Sequence, residues 1–356
     1  MIGSRIWRVI LGSSVLPVLG GCRDHPRASP ALWDGQPPFA RTVSSGNWRI
    51  VDSLQGVQLG EVNFMAADSS LIVFVDNSLE QVVGLDRHPR PLWRFGRPGN
   101  GPGEFGMIRS ISIDDHHRVL LADERNRRLT WLSDSGTLLR SVHVEAGGGL
   151  VASAAGGAVL LFDVSNKAKP VAELDSAGAV LRRLAVPWPG FELLPDLVAG
   201  NVRLIGSPDD SAFVVAFMVG DGWFGQSLAR GQPTLGRYVE HLDFPEVVET
   251  ATRRLILAKA YALQDGFLEA GILHVLWNGA DTSTVLRLID RYAVRSGEYL
   301  GSWRLPRPAT AIARSGNALI AVFADGEPTL VRLRQTTDPV PSGERKDSRV
   351  NGRAPR

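Results

Sequence analysis

Three stretches carry residue types that do chemistry. The first, "FGRPGNGPGEF" from Phe95 to Phe105, is a glycine-rich loop of the kind that can cradle a phosphate. A phosphate loop ends in Gly-Lys-Ser/Thr, where the lysine meets phosphate and the hydroxyl meets magnesium. Here Gly103 is followed by Glu104 and Phe105, and a carboxylate at that point repels an anion. A dinucleotide fingerprint fails as well. Counted from Gly99, its last glycine position is Glu104, and "MIRSISID" downstream reads as a strand, so no helix N-terminus faces an anion. The stretch reads instead as a joint between strands, with glycines supplying positive φ and Phe105 packing into the joint. The second stretch, "DDHHR" at Asp114–Arg118, sets acids beside histidines. Metal ligands converge from separate strands, whereas neighbours in a tight hairpin point apart, so this reads as a turn capped by aspartate. The remaining histidines (His25, His88, His143, His241 and His274) show no HxH or HExxH spacing. The third feature is Cys22, the lone cysteine, which excludes an internal disulfide. No G-x-S-x-G elbow occurs, and no spacing singles out a pair of carboxylates.

The surroundings of Cys22 give it a different use. "MIGSRIWR" is a short basic start, and "VILGSSVLPVLGG" is an apolar run too short to span a bilayer comfortably. Together they read as a secretory signal. "LGGC" at Leu19–Cys22 resembles a bacterial lipobox, with Gly20 a less usual choice at its position. The resemblance implies that the thiol takes a diacylglycerol, that the chain is cut before Cys22, and that the new amino terminus is acylated. Residues 1–21 are then a lipoprotein signal peptide, and the mature protein is held on the extracytoplasmic side of a bacterial envelope membrane. An ordinary secretory signal with a chance cysteine is the other reading. Residues 22–46, rich in Pro, Ser, Ala and Arg without periodicity, read as a flexible tether. Residues 335–356 read as a disordered basic tail carrying Arg345, Lys346, Arg349, Arg353 and Arg356.

Composition narrows the partners. Lys and Arg number 39 against 37 acids, and Arg5 and Arg8 in the signal account for the excess. A balanced mature chain lacks the electrostatic footprint of a nucleic-acid binder. The 38 glycines among 356 residues, with many short Val/Leu/Ile runs, point to an all-β layout with frequent turns.

The elements that must position these residues repeat. "LSDSGTLLR" from Leu132 and "LDSAGAVLR" from Leu174 share Leu, Gly, Leu and Arg at the same spacings. "LDRHPRPLWR" from Leu85, "LARGQPTLGR" from Leu228 and "AVRSGEYLG" are weaker copies of that hairpin. The first three steps, Leu85 to Leu132, Leu174 and Leu228, are 47, 42 and 54 residues. A period in that range marks a propeller of about four strands per blade. In the second unit, "IRSISIDD", "HHRVLLAD", "RRLTWLSD" and "GTLLRSVHV" supply the four strands.

That unit, "GPGEFGMIRSISIDDHHRVLLADERNRRLTWLSDSG", resembles an NHL repeat of the six-bladed, TolB-like propeller superfamily. The matching positions include Gly101, Gly103, Phe105, Asp114, Asp123, Asn126 and Arg128. The resemblance implies a six-bladed β-propeller of four-stranded antiparallel blades over 47–334. Blades are expected near 62–96, 106–145, 150–187, 201–241, 254–305 and 308–334. The last has room for three strands only, so Trp48–Leu54 is expected to supply its fourth and close the ring.

Two insertions break the period. "PWPGFELLPDLVAG" at 187–200 and "DFPEVVETATRRLILAKAYAL" at 243–263 both fall at blade joints. In the second, Asp243, Pro245 and Glu246 look like a helix start, and Val248, Ala251, Leu255 and Ala262 are spaced as one helical face. Each insertion serves either binding or packing. The joints share an end of the propeller with the turns between second and third strands. Arg97, Asn100, Glu104, Arg125 and Arg127 therefore form the candidate binding face. The function expected is a membrane-anchored binding or scaffolding propeller for a protein or glycan, with no cofactor, no metal and no catalytic residue assigned. The alternative is a calcium-dependent hydrolase, lactonase or lyase, whose ligands would converge in the central channel from separate blades.

Overall fold

In the computed structural model, residues 39–44, 47–55, 58–145, 149–229, 231–249, 254–257, 260–279, 281 and 284–336 are described. The signal peptide, Cys22 and the tail beyond Thr336 lie outside them. Blade one is built from Val62–Ala67, Leu71–Asp76, Gln81–Asp86 and Pro91–Phe95, hydrogen-bonded in that order from the axis outward. Blades two to five start from inner strands Ile108–Ile113, Leu150–Ala154, Val202–Gly206 and Leu263–Glu269, each followed outward by three antiparallel neighbours. Blade six has Ala309–Ser315 innermost, then Ala318–Phe323 and Thr329–Thr336, and finally Asn47–Ser53. The inner strands of successive blades adjoin one another in order, and the sixth adjoins the first, so the ring is closed.

The apolar runs explain the blade. Leu71–Asp76, Val119–Asp123 and Ala318–Phe323 are buried at every position. A second strand has a neighbouring blade on each face, so it reads as a continuous apolar run and not as an alternating one. The joint between blades one and two shows the packing. Phe105 is 1% exposed and clusters with Val73, Val75 and Val82 of blade one and Ile108, Val119 and Leu121 of blade two.

A buried aspartate recurs after the second strand of blades one to four, and in blades one and two it fastens the incoming joint. Asp76 accepts the amides of Gly60 and Ser78. Asp123 accepts those of Gly106, Met107 and Asn126. Asp163 takes Ser165 and an ion pair with Arg183 at 3.0 Å, and Asp221 holds His241. Burying a carboxylate is costly unless its lone pairs are filled; backbone amides fill them at Asp76 and Asp123, whereas a guanidinium stands at Asp163 and an imidazole at Asp221.

The closing strand is where the repeat count places it. Asn47–Ser53 pairs antiparallel with Thr329–Thr336, with Trp48 opposite Gln335 and Ile50 opposite Leu333. Trp48 is buried against Trp303, their ring centroids 5.2 Å apart, and Leu54 joins the core shared by blades one and six.

Four details differ from the sequence reading. The docked chain starts before residue 47. Val43–Ser44 pairs in parallel with the outer edge of blade five, and Arg41 reaches Asp290 at 2.7 Å and also pairs with Glu240. The last strand extends to Thr336. Blade five begins at Leu263 and not near 254. The helix expected within 243–263 is a hairpin of Glu246–Glu249 and Arg254–Leu257. Val248 and Leu255, which the helical spacing put on one face, are directly opposed in the hairpin register, while Ala251 lies outside the described residues. Val247 and Val248 are β-branched and stiff at χ1, and they favour the pleated form.

Candidate functional site

The joint that prompted the phosphate question is filled by its own residues. Glu104 accepts the Gly101 amide at 2.9 Å and pairs with Arg97 at 2.8 Å. The Gly101 amide, then Arg97, hold the Glu104 carboxyl below its ordinary pKa. The loop's own carboxylate thus occupies the place an anion would take. Arg128 donates to the carbonyls of Asn100, Gly101 and Glu104, and Asn126 donates to that of Gly99. The polar positions of the repeat motif are therefore fasteners of the joint. Gly96, at φ 98°, is required because a Cβ there would lie 2.5 Å from the Phe105 ring.

The five residues expected to form a binding face lie at the joint end, each held by local contacts. Arg97 and Glu104 pair with each other, and Asn100 offers its carbonyl to Arg128. Arg125 lays its stem over Gly106, and Arg127 donates to the Glu145 carbonyl at 2.8 Å. The insertion at 187–200 buries Trp188, Phe191, Leu194 and Val198 in the core of blades three and four. Trp188 also meets Phe217 and Phe244. It packs the joint.

A deep concavity opens at the other end. A cup of about 640 Å³ occupies the central channel, within the range of small-molecule sites. Its walls are the six inner strands. Its mouth is formed by turns between first and second strands, among them Asp68–Ser69, Asp115, His117, Asp209 and Glu269. Those turns are short and aspartate-capped. Asp68 accepts the amides of Ser70 and Leu71, and Asp114 accepts those of His116 and Arg118.

Two charged side chains stand low in the cup, near the starts of their strands. Arg203 of blade four reaches across the channel and donates through Nη2 to the carbonyls of Asn63 in blade one and Gln264 in blade five, at 3.2 and 2.9 Å. Its guanidinium lies 4.6 Å from the Phe64 ring centroid, a cation–π contact. Its Nε–H is buried without a partner. Asp265 of blade five accepts the Ile312 amide at 2.9 Å and that of Gly266. Burial pushes its carboxyl up to about 6, against the pull of Arg203 and the two amides. At the mouth, burial opposes charge on Asp68, but His117 and the Ser70 and Leu71 donors outweigh it and hold the carboxyl low. His117 is raised by its 2.6 Å hydrogen bond with Asp68. Glu269 pairs with Arg314 at 2.9 Å.

The shift at Asp265 has a measurable consequence. Its folded pKa of about 6 lies above the unfolded value of ~3.9, so the native state holds the proton more tightly. Its contribution to stability is full below ~4 and is lost as pH rises toward 6, on the order of 3 kcal/mol. Urea midpoints between pH 4 and pH 7 should show this falling slope, and Asp265→Asn should flatten it. An unchanged slope in the variant would assign it to another group.

A calcium centre needs six to eight oxygen ligands converging at about 2.3–2.6 Å. The lower channel offers one carboxylate, already committed to backbone amides, and faces it with a guanidinium. That donor set does not fit calcium. Among the described residues, Asp114, Asp115 and His116 form the one triad with metal-ligand spacing. There the Asp114 carboxylate is occupied by two turn amides and Arg118 Nε. The sequence reading of this stretch as a turn holds.

Spacing could not reveal the cup, because its residues come from separate blades. The local signal was a charge inside an inner strand, Arg203 in "VRLIG" and Asp265 in "LQDGFLE".

Closed ring, six blades and a polar axial cup define the class as a six-bladed β-propeller. The sequence matches no protein-family model and no curated protein. Solved structures match the fold. A Bacteroides fragilis protein described as exported superposes with a TM-score of 0.51 at 8% identity, covering 81% of this chain and 95% of that one. The structure of U3-55K gives 0.51 at 11%, covering 81% and 98%. The WD40 repeats of RRP9 give 0.50 at 10%, covering 83% and 99%. At these identities the likeness concerns the fold alone.

Proposed function

We propose that this chain is an extracytoplasmic lipoprotein, held to a bacterial envelope membrane through Cys22, whose propeller is a binding module. The axial cup takes the partner, a protein segment or a glycan. One observation carries the reading. The cup's charged groups are fixed by the scaffold, Arg203 by two carbonyls, Asp265 by two amides and Asp68 by a turn and His117. Preorganised donors and acceptors of this kind recognise a partner without reorganising. Catalysis would ask for a nucleophile beside a base, or a carboxylate cluster on a metal, and the donor set supports neither.

The anchor is supported by the basic start, the apolar run and the lipobox-like "LGGC". Two or more acyl chains, each buried methylene contributing about 0.8 kcal/mol, hold a protein on a bilayer stably. Labelling with a radioactive fatty acid should therefore mark the native chain and leave Cys22→Ala unlabelled. Absence of label on the native chain would contradict lipid anchoring.

A further inference from the structure

We propose that the cup binds a small sugar acid, a polyhydroxylated ring bearing one carboxylate, with that carboxylate on Arg203. The inference rests on the reading of the cup as the binding site and names its ligand.

The floor of the cup calls for an anion. Arg203 is 9% exposed and lines the cavity. Among the described residues, no carboxylate lies within ion-pair distance of it. Asp265, the nearest acid in charge terms, gives its oxygens to the amides of Ile312 and Gly266. The hydrogen bonds Arg203 does make go to neutral carbonyls, and its Nε–H is left over. A buried guanidinium bonded only to neutral carbonyls, with Asp265 turned to backbone amides, is costly, and a ligand carboxylate in the cup supplies the direct ion pair it lacks.

The mouth calls for the opposite chemistry. Asp68, Asp115, Asp209 and Glu269 line it, with His117 and Arg314 as the counterweights. Carboxylates accept hydrogen bonds from hydroxyls and repel a second negative charge. A ligand with one negative end and a hydroxyl-bearing body satisfies floor and mouth together. A dianionic phosphate or dicarboxylate satisfies the floor and is opposed by the mouth. The cavity of about 640 Å³ has room for a monosaccharide or disaccharide.

The test is calorimetric titration of the full chain in detergent with glucuronate, glucose, succinate and inorganic phosphate. Glucuronate should bind about tenfold or more tightly than glucose, the worth of one charge-assisted contact. It should also exceed succinate and phosphate. Arg203→Lys should keep part of the preference for glucuronate over glucose, and Arg203→Gln should abolish it, provided each variant melts cooperatively. The comparison of the four probes on the unmodified chain decides the matter even where a variant does not fold. Equal binding of glucuronate and glucose overturns the carboxylate assignment and leaves the cup as a binding site. Preference for succinate or phosphate overturns the role of the mouth, and with it the sugar acid. Absence of binding by every probe overturns the inference. The reading of the cup itself fails separately, if a partner is cross-linked only from the joint end.

Discussion

A chain that starts at Gln58 should fail to fold cooperatively, or should melt at least about 10 °C below one that starts at Ser45. Both lack Arg41, so the difference isolates the closing strand. Asn47–Ser53 supplies the outer strand of blade six, and without it Thr329–Thr336 becomes an unpaired edge. Trp48 and Leu54 are each 8% exposed, and burying side chains of that size contributes roughly 2–3 kcal/mol apiece. Added to the lost ladder, the sum is about 5 kcal/mol or more, a large share of the ~5–15 kcal/mol that holds a typical domain. At about 2 °C per kcal/mol for a domain of this size, the stated drop follows. Equal melting temperatures for the two chains would mean that the ring closes without this strand.

The second large effect is at the latch. Asp290 has a fully buried side chain, and its partners are Arg41 at 2.7 Å and the Ser302 hydroxyl. Burial pushes the Asp290 carboxyl up, and Arg41 pulls it back toward the ionised form. Arg41 also lies 5.2 Å from the Trp277 ring centroid, and the Thr42 carbonyl accepts the Ser302 amide at the edge of blade five. Arg41→Ala leaves a buried carboxylate without its counterion, a change that costs about 3–5 kcal/mol. Asp290→Asn in the same chain removes the orphaned charge and should restore more than half of the loss. Thermal or urea unfolding of the single and double variants measures this coupling. A loss below about 1 kcal/mol for Arg41→Ala would show that the latch is a surface pair of ordinary strength. The latch has a mechanical meaning as well. It ties the chain ahead of the closing strand to the edge of blade five.

Much of the fold was legible because a propeller repeats its local chemistry. Leu132 and Leu174 open copies of one hairpin, and Asp76 and Asp123 mark the same corner in successive blades. Counting strands left blade six one short, and the unassigned Trp48–Leu54 filled the gap. The 243–263 insertion was misread because Val248 and Leu255, seven apart, fit a helical face and a hairpin rung equally well. The β-branched Val247 and Val248 were the better guide. The latch was hidden in a segment whose composition reads as linker, since Arg41 acquires its partners only through folding. The cup was hidden for a related reason. Asn63, Arg203, Gln264 and Asp265 meet across blades, and no spacing within one strand encodes that meeting.

The central claim is that the partner enters the cup and not the opposite, joint-lined end. Photo-cross-linking tests it most directly, with a photoreactive residue placed either at Ser69, exposed at the cup mouth, or at Arg97, exposed at the blade-one joint. In envelope preparations from cells that carry the full chain, the account predicts a specific adduct from position 69 that glucuronate competes away, and none from position 97. An adduct from position 97 alone would place binding on the joint face and contradict the account.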